Sequence, residues 1–266
     1  KRIRDSFDGG VLTGKGLSFG GSLTRSEATG YGLCYLTEEM LHCMKQESLQ
    51  GKRVAISGSG NVAIFACQKA QELGAKVITM SDSNGCIYDP EGIRLDVVKD
   101  IKLRRRGRIR EYAQLVPGSE FRSDFRDLWS VPCDVALPCA TQNEIDAETA
   151  RRIVRGGAMA LAEGANMPST PAAIEVLREG GVLFAPAKAA NAGGVAVSGL
   201  EMCQNSMRLA WTFDEVDQRL HQIMLDIFHN IYDASVEYGV PGNLLDGANI
   251  AGFRKVADAM LAQGVC

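Results

Sequence analysis

The sequence has few of the features that mark nucleic-acid-binding, secreted or membrane proteins. Its 266 residues carry a formal net charge of only -3, so the chain has no bulk attraction to nucleic acid or to an anionic membrane. No apolar run approaches the roughly 18 residues that a membrane span needs, and no signal-peptide pattern opens the chain. These absences favour a cytoplasmic protein whose partner is a small molecule or another subunit.

Histidine and cysteine do not occur in metal-binding or disulfide patterns. The three histidines are scattered, and the spacing of His221 and His229 is not that of a ligand pair. None of the eight cysteines forms a C-x-x-C pair, and most fall inside apolar helix or strand patterns. We therefore predict no metal site, and we expect reduced thiols that pack as small hydrophobic groups.

Short apolar runs alternate with helical patterns beyond residue 51. The runs lie at 53–57, 76–80, 134–138, 158–162 and 182–186, and the helical patterns lie at 61–73, 94–106, 146–155 and 171–179. Such alternation implies right-handed βαβ crossovers, so we predict an α/β fold with a doubly wound, mostly parallel sheet and flanking helices.

Further helices are predicted on both sides of this region. One spans about 24–46 and opens with the capping-box pattern Thr24-x-x-Glu27. A helical C-terminal segment comprises the patterns at 198–208, 213–238 and 248–263.

A glycine-rich loop, Gly58-Ser59-Gly60-Asn61-Val62-Ala63, directly follows the first apolar run and opens a helix. The first glycine permits a tight turn, the second lets the backbone approach a pyrophosphate, and the helix N-terminus faces the phosphates. We therefore predict a Rossmann-type dinucleotide-binding domain at 51–190, preceded by a connecting segment and helix at 1–50 and followed by C-terminal helices at 191–266. Because ligands bind outside the carboxyl ends of the strands, the loops after all five runs should share one edge of the sheet.

The end of the second run bears on the choice between NAD and NADP. Asp82 alone would favour NAD, since an acidic side chain there accepts a hydrogen bond from the ribose 2′-hydroxyl. Ser81 and Ser83 flank it, however, and cations that suit a 2′-phosphate follow on a nearby helix: Lys102, Arg104, Arg105, Arg106 and Arg108. Such a charge run is also typical of a solvated helix face, so this pattern leaves the cofactor open.

Polar residues at three loop ends are candidate ligand contacts. The amides of Asn166 and Asn191 suit a nicotinamide carboxamide or a substrate carboxylate, although asparagine also simply forms turns. Ser198 lies near a predicted helix start, where its hydroxyl and the helix dipole favour an anion. Lys188 fits a structural or phosphate contact better than a catalytic base, and no general acid–base pair can be assembled from these residues.

Five ordered motifs together resemble the hexameric glutamate dehydrogenases of bacteria and fungi. They are GGSLTRSEATGYG at 20–32, GSGNVA at 58–63, CATQN at 139–143, EGANMP at 163–168 and GGVAVSGLEM at 193–202. The resemblance covers the C-terminal half of that family. It departs from the family pattern at Ser26, where the family has proline, and in the helix carrying Lys102, which is a few residues shorter.

The resemblance implies roles for particular residues. Thr29 and Asn61 match positions that hold the nicotinamide carboxamide, and Arg25 matches a position at the cleft. NADP-dependent members share the Ser-Asp-Ser pattern and a cationic helix, which favours NADP while NAD stays possible. The remaining cofactor-binding matches are Gly58, Ser59, Gly60, Val62, Asp82, Ser83, Lys102, Arg105, Ala140, Thr141, Asn166 and Asn191, and the substrate-carboxylate pocket matches Thr13, Val195 and Ser198.

The implied activity is the reversible oxidative deamination of L-glutamate to 2-oxoglutarate and ammonia with NADP(H), in a homohexamer. The family's catalytic lysine and aspartate lie in an N-terminal domain that we expect to be missing here, so this chain should bind cofactor without turnover. Two other interpretations stay open: a leucine- or phenylalanine-type dehydrogenase, and a non-catalytic dinucleotide-binding module. Ser198 and Thr13 argue against the first, because an apolar substrate pocket gains nothing from hydroxyl groups.

Overall fold

Residues 9–264, the part of the chain that the computed structural model describes, are built around one seven-stranded sheet. The strand order is β4-β3-β2-β1-β5-β6-β7, and β3 alone runs in the direction opposite to the other six strands. The predicted mostly parallel, doubly wound sheet is therefore confirmed. The strands are Arg53–Ile56 (β1), Lys76–Asp82 (β2), Gly85–Tyr88 (β3), Glu120–Arg122 (β4), Val135–Leu137 (β5), Ala160–Ala162 (β6) and Leu183–Ala185 (β7).

Helices cover both faces of the sheet. Successive side chains of β1 point to opposite faces, so Val54 and Ile56 pack into one apolar cluster while Ala55 packs into another. The first cluster includes helices α1, α2 and α9, and the second includes α5 and α6. The helices are Ala28–Lys45 (α1), Asn61–Glu72 (α2), Leu95–Lys99 (α3), Tyr112–Leu115 (α4), Ala147–Arg155 (α5), Pro171–Glu179 (α6), Ala187–Ala190 (α7), Gly193–Met207 (α8), Phe213–Glu237 (α9) and Leu244–Gln263 (α10).

The sequence pattern missed β3 and β4 at the edge of the sheet. β2 runs on to Asp82, and after a short turn the chain returns as β3, with Gly85 opposite Asp82. Gly85 has φ +149°, and a Cβ there would lie only 2.1 Å from the carbonyl oxygen of Arg122 on β4. This glycine therefore allows three edge strands to approach, and such short strands carry too few residues to show a clear periodicity.

The capping-box prediction at the start of α1 is wrong. Thr24 adopts a left-handed conformation with φ +66°, and its hydroxyl donates instead to the carbonyl oxygen of Phe213 at 3.5 Å. The helix begins only at Ala28, and the preceding Glu27 makes no side-chain cap. A turn at residues 24–27 therefore separates α1 from the segment that precedes it in the chain.

The predicted helix at 94–106 is also shorter and less regular than expected. α3 ends at Lys99, and one π-helical turn follows over Asp100–Arg104. Arg106 has φ +52°, which ends the helical path and turns the chain back toward the end of β2. The start of α6, by contrast, matches the sequence, since Thr170 accepts a hydrogen bond from the N–H of Ala173 and Pro171 occupies the first helical position.

Seven cysteines lie in the described region and all are free, five of them buried. Burial raises the pKa of these five thiols, which keeps them protonated and packed as small apolar groups. Cys266 lies outside the described residues. No helix within residues 9–264 is both long and apolar enough to cross a membrane.

Candidate functional site

The glycine loop lies at the carboxyl end of β1, where the strand order changes direction between β2 and β5. Gly58 has φ +85°, its N–H donates to the hydroxyl of Ser81 at 2.8 Å, and a Cβ there would lie 3.0 Å from the carbonyl oxygen of Cys139. At Gly60 a Cβ would meet nothing within 4 Å. No side chain of the described part of the chain caps α2, so its first N–H groups can bind an anion beside this open space. This geometry fits the pyrophosphate of a dinucleotide.

An adjacent pocket of about 700 Å³ brings together about half of the predicted site residues. The loops after β5, β6 and β7 contribute to it, as do the beginnings of α1, α2 and α8, which confirms the shared edge for these loops. Thr13 is exposed and does not belong to this lining. The pocket is lined by Arg25, Thr29, Val62, Cys139, Ala140, Thr141, Gln142, Gly164, Ala165, Asn166, Asn191, Gly194, Val195 and Ser198.

Close helix packing and amide contacts shape this pocket. A Cβ on Gly193 would lie 2.1 Å from the carbonyl oxygen of Ala28, and one on Gly194 would lie 2.5 Å from the Thr29 hydroxyl. The two glycines therefore let α8 begin directly against α1. Across the pocket, the side-chain amide of Asn191 donates to Oδ1 of Asn166 at 2.8 Å, which orients both amides.

Cationic side chains lie beside the end of β2. Lys102 Nζ donates to the carboxylate of Asp82 at 3.3 Å, and the backbone N–H of Ile109 donates to the same oxygen at 2.9 Å. Burial acts to raise the pKa of Asp82, but the hydrogen bonds from Ile109, Asn84 and Lys102 outweigh it and lower the pKa. Asp82 therefore stays ionised and is already bound by the protein.

Two arginines of the charge run have different surroundings. Arg105 forms ion pairs with Asp100 at 2.9 Å and with Glu111 at 3.0 Å, on its own part of the chain. Arg108 reaches the end of β2, where its guanidinium donates to the hydroxyl of Ser83 at 3.1 Å. The structure thus places Arg108, rather than Arg105, beside the Ser-Asp-Ser pattern. The irregular end of the α3 region explains why helical spacing did not single out Arg108.

Buried glutamates that the sequence pattern does not single out hold the loops around the pocket. Glu144 accepts hydrogen bonds from the Ser57 hydroxyl at 2.8 Å and from the N–H of Ala140 at 3.3 Å. Burial raises the pKa of Glu144 to about 7 despite these bonds. Glu163 similarly accepts from the N–H groups of Ser169 and Ala187, and burial raises its pKa as well. Glu163 opens the motif at 163–168 and Glu144 directly follows the motif at 139–143, but only the structure shows their burial.

A third buried carboxylate attaches the segment at residues 9–21 to α8. Glu201 is fully buried and accepts from the N–H of Gly14 at 2.8 Å and from Lys15 Nζ at 2.6 Å. It lies one helical turn beyond Ser198, and Thr13 directly precedes Gly14 in the chain. Lys188 points away from the pocket and donates to Asn249 on α10 at 2.5 Å, which supports its structural interpretation.

The chain matches a family model described as glutamate/leucine/phenylalanine/valine dehydrogenase over residues 20–264. It is 56% identical to the NADP-specific glutamate dehydrogenase of Escherichia coli (strain K12), covering 96% of this chain and 57% of that protein. It is 51% identical to the NAD(P)-specific glutamate dehydrogenase of Xylanibacter ruminicola, covering 100% of this chain and 60% of that protein. The chain thus spans less than two thirds of the length of these relatives.

Solved structures agree with this fold. The glutamate dehydrogenase of Plasmodium falciparum superimposes with a TM-score of 0.95 at 43% identity, covering 100% of this chain and 57% of that chain. A hetero-hexameric glutamate dehydrogenase from Thermus thermophilus gives a TM-score of 0.85 at 26% identity, covering 98% of this chain and 59% of that chain.

Proposed function

The chain belongs to the glutamate/leucine/phenylalanine/valine dehydrogenase family, and from this premise we propose that it is the coenzyme-binding part of an NADP-linked glutamate dehydrogenase. The reaction is the reversible oxidative deamination of L-glutamate to 2-oxoglutarate and ammonia, with NADP accepting the hydride. The observation that carries this proposal is the convergence of amide, hydroxyl and cationic groups in one pocket next to the glycine loop.

Each part of the cleft has a proposed task. The free N–H groups at the start of α2 bind the pyrophosphate, while Thr29 and Asn61 orient the nicotinamide carboxamide. The oriented amides of Asn166 and Asn191 then fix one wall of the space that the ring and the substrate share. The other cofactor-binding residues in this proposal are Gly58, Ser59, Gly60, Val62, Ala140 and Thr141.

Preference for NADP is supported by the surroundings of Asp82. In an NAD enzyme such a carboxylate accepts a hydrogen bond from the ribose 2′-hydroxyl, but here its oxygens already accept from Lys102, Ile109 and Asn84. Lys102, Ser83 and Arg108 supply the donors and positive charge that a 2′-phosphate requires. NAD stays possible as a second, weaker coenzyme.

The experiment that tests cofactor choice is a fluorescence titration of the chain with NADPH and with NADH. We expect NADPH to bind more tightly, and Arg108→Ala to weaken NADPH binding by about 10- to 100-fold, because hydrogen bonds to charged groups contribute roughly 1.5–3 kcal/mol. NADH binding should not change. Arg105→Ala is the matched comparison. If only this variant lost affinity for NADPH, the contact to the 2′-phosphate would be assigned to Arg105 instead. Equal or tighter binding of NADH would contradict the preference for NADP.

The proposed substrate is glutamate because the pocket offers groups suited to a second carboxylate. Arg25 lines the pocket and has no ion-pair partner among residues 9–264. Ser198 adds a hydroxyl and Val195 the neighbouring wall, and Thr13 lies on the segment that Glu201 holds against α8. In the complete protein we expect Ser198→Ala to raise KM for glutamate while KM for NADP is unchanged. Faster turnover of leucine or phenylalanine than of glutamate would favour the rival dehydrogenases.

We further propose the division into a connecting segment and helix at 1–50, a dinucleotide-binding domain at 51–190 and C-terminal helices at 191–266. The general acid and base are proposed to lie outside these 266 residues, and the complete enzyme is proposed to be a cytoplasmic homohexamer. On this proposal the chain alone binds NADPH without turnover, whereas the complete protein oxidises glutamate. A complete protein that binds NADPH but turns over no amino acid would instead be a non-catalytic dinucleotide-binding module.

A further inference from the structure

Three metal-ligating side chains meet on the surface where α1 and α9 pack together. His229 Nε2 lies 2.9 Å from Oε1 of Glu39, and the thiol of Cys43 donates to the same oxygen at 3.2 Å. The three potential ligand atoms all lie within 4.8 Å of one another. The group lies toward the C-terminal end of α1, whereas Thr29 of the cofactor pocket lies at its beginning.

The geometry is close to that of a tetrahedral metal site. Zinc bonds of about 2.0–2.3 Å to nitrogen, oxygen and sulfur place neighbouring ligand atoms roughly 3.3–3.8 Å apart. Glu39 and Cys43 are four residues apart on one helix, so their side chains share a face, and His229 approaches from the second helix. The two short contacts, 2.9 and 3.2 Å, must each widen by a few tenths of an ångström to reach this range, and the third separation, between His229 and Cys43, is at most 4.8 Å.

The backbone that carries these ligands is held in place by buried neighbours. Met40 follows Glu39 and Phe228 precedes His229, and both are fully buried in the apolar cluster that joins α1 to α9. A cation can nevertheless enter from solvent, because Cys43 is exposed and the His229 side chain is 49% exposed. The ligands are therefore preorganised without being closed off.

We propose that Glu39, Cys43 and His229 bind one zinc ion, with water as the fourth ligand, and that the ion clamps α1 to α9. A carboxylate, a thiolate and a neutral imidazole together carry two negative charges, which balance a divalent cation. The mixture of sulfur and nitrogen ligands favours zinc over magnesium or calcium, which prefer all-oxygen sites. This site is independent of the dehydrogenase proposal.

Cobalt(II) is the probe for this site, because thiolate ligation gives it a charge-transfer band in the near ultraviolet. The reduced, metal-free 266-residue chain is titrated anaerobically with cobalt, and zinc is then added. We expect one equivalent to bind with the thiolate band and zinc to displace it. Zinc alone should raise the thermal unfolding midpoint, since it binds the folded state.

Matched variants identify the ligands. Cys43→Ser should abolish the thiolate band, and His229→Gln and Glu39→Gln should each weaken cobalt binding by at least about tenfold. Cys203→Ser, at the exposed cysteine on α8, and His42→Gln, next to Cys43, are controls that should bind cobalt like the original chain. Circular dichroism establishes that each variant is folded. The proposal is overturned if the original chain shows no thiolate band, or if the band persists in Cys43→Ser or disappears in Cys203→Ser.

Discussion

The two glycines of the glycine loop, Gly58 and Gly60, are expected to respond differently to the same substitution. Gly58→Ala places a side chain at φ +85° and 3.0 Å from the Cys139 carbonyl oxygen, so it should lower the free energy of unfolding by about 1–3 kcal/mol. Gly60→Ala fits without contact in the free protein and should leave stability unchanged, but its methyl group occupies the space proposed for the pyrophosphate. Chemical denaturation and NADPH titration of both variants measure the two effects. Equal stability of the two variants would contradict this distinction.

Buried Glu144 should make stability depend on pH. Burial raises its pKa from 4.5 to about 7 in the folded protein, so the folded state retains a proton that the unfolded chain has released. The stabilisation is complete below pH 4.5 and is lost as pH rises through 7, a change of roughly 3 kcal/mol. Glu144→Gln resembles the protonated form, so its stability relative to the original chain should increase over this range.

Urea denaturation at several pH values measures the difference in unfolding free energy between Glu144→Gln and the original chain. Glu120→Gln is a suitable control, because Glu120 is an exposed carboxylate whose ion pair within residues 9–264 is with Arg122, and such exposed pairs contribute little to stability. Parallel pH profiles for Glu144→Gln and the original chain would show that Glu144 does not titrate in this range.

At the scale of elements, we expect the buried ion pair of Lys15 with Glu201 to contribute most of the attachment of residues 9–21 to α8, to which the side-chain amide of Asn205 adds a hydrogen bond to Gly20. Glu201→Gln retains an acceptor for the N–H of Gly14 but leaves Lys15 without its counter-charge. We expect faster amide hydrogen exchange at residues 14–22, with little change in the sheet, because such a segment opens locally. Burial acts to raise the pKa of Glu201, but the bonds from Lys15 and Gly14 outweigh it and lower it. The attachment should therefore weaken as pH falls.

Hydrogen-exchange mass spectrometry at neutral and acidic pH measures this opening, again with Glu120→Gln as the control. Unchanged exchange at residues 14–22 in Glu201→Gln would assign the attachment to the amides of Gln204 and Asn205, which bind Ser22 and Gly20. On the proposed function, loosening this segment in the complete protein should also raise KM for glutamate, because the segment carries Thr13.

At the scale of the whole molecule, cofactor binding should stabilise the entire described chain. The pocket is lined by residues from Arg25 to Ser198, so a bound dinucleotide contacts the beginnings of α1, α2 and α8 and the loops after β5, β6 and β7. A ligand at 100 times its Kd stabilises a folded protein by about 2.7 kcal/mol. We therefore expect NADPH to raise the thermal unfolding midpoint in one cooperative transition, and more than NADH does at the same concentration. Gly60→Ala should abolish this rise, and a similar rise in that variant would place NADPH elsewhere.

The sequence by itself determined the alternation of strands and helices and the position of the glycine loop. A parallel strand covered on both faces needs a short apolar run, and a helix needs periodic burial, so both are encoded locally. The five runs are all strands, and the glycine pattern at 58–63 lies at the predicted turn. The resemblance in five motifs added the family. The motifs at 58–63, 139–143 and 163–168 follow the carboxyl ends of β1, β5 and β6, whereas those at 20–32 and 193–202 lie around the beginnings of α1 and α8.

Only the tertiary structure decided which distant side chains meet. Three features depend on contacts between elements rather than on the local periodicity of apolar residues. They are the reversed direction of β3, the unformed cap at Thr24 and the turn that brings Arg108 to Ser83. Burial is likewise a property of packing, so no pattern could show that Glu144 would be enclosed. The same reason applies to His229, whose spacing in sequence predicted no metal ligand. Packing of α9 on α1 places it beside Glu39 and Cys43, because helix packing juxtaposes residues whatever their separation along the chain.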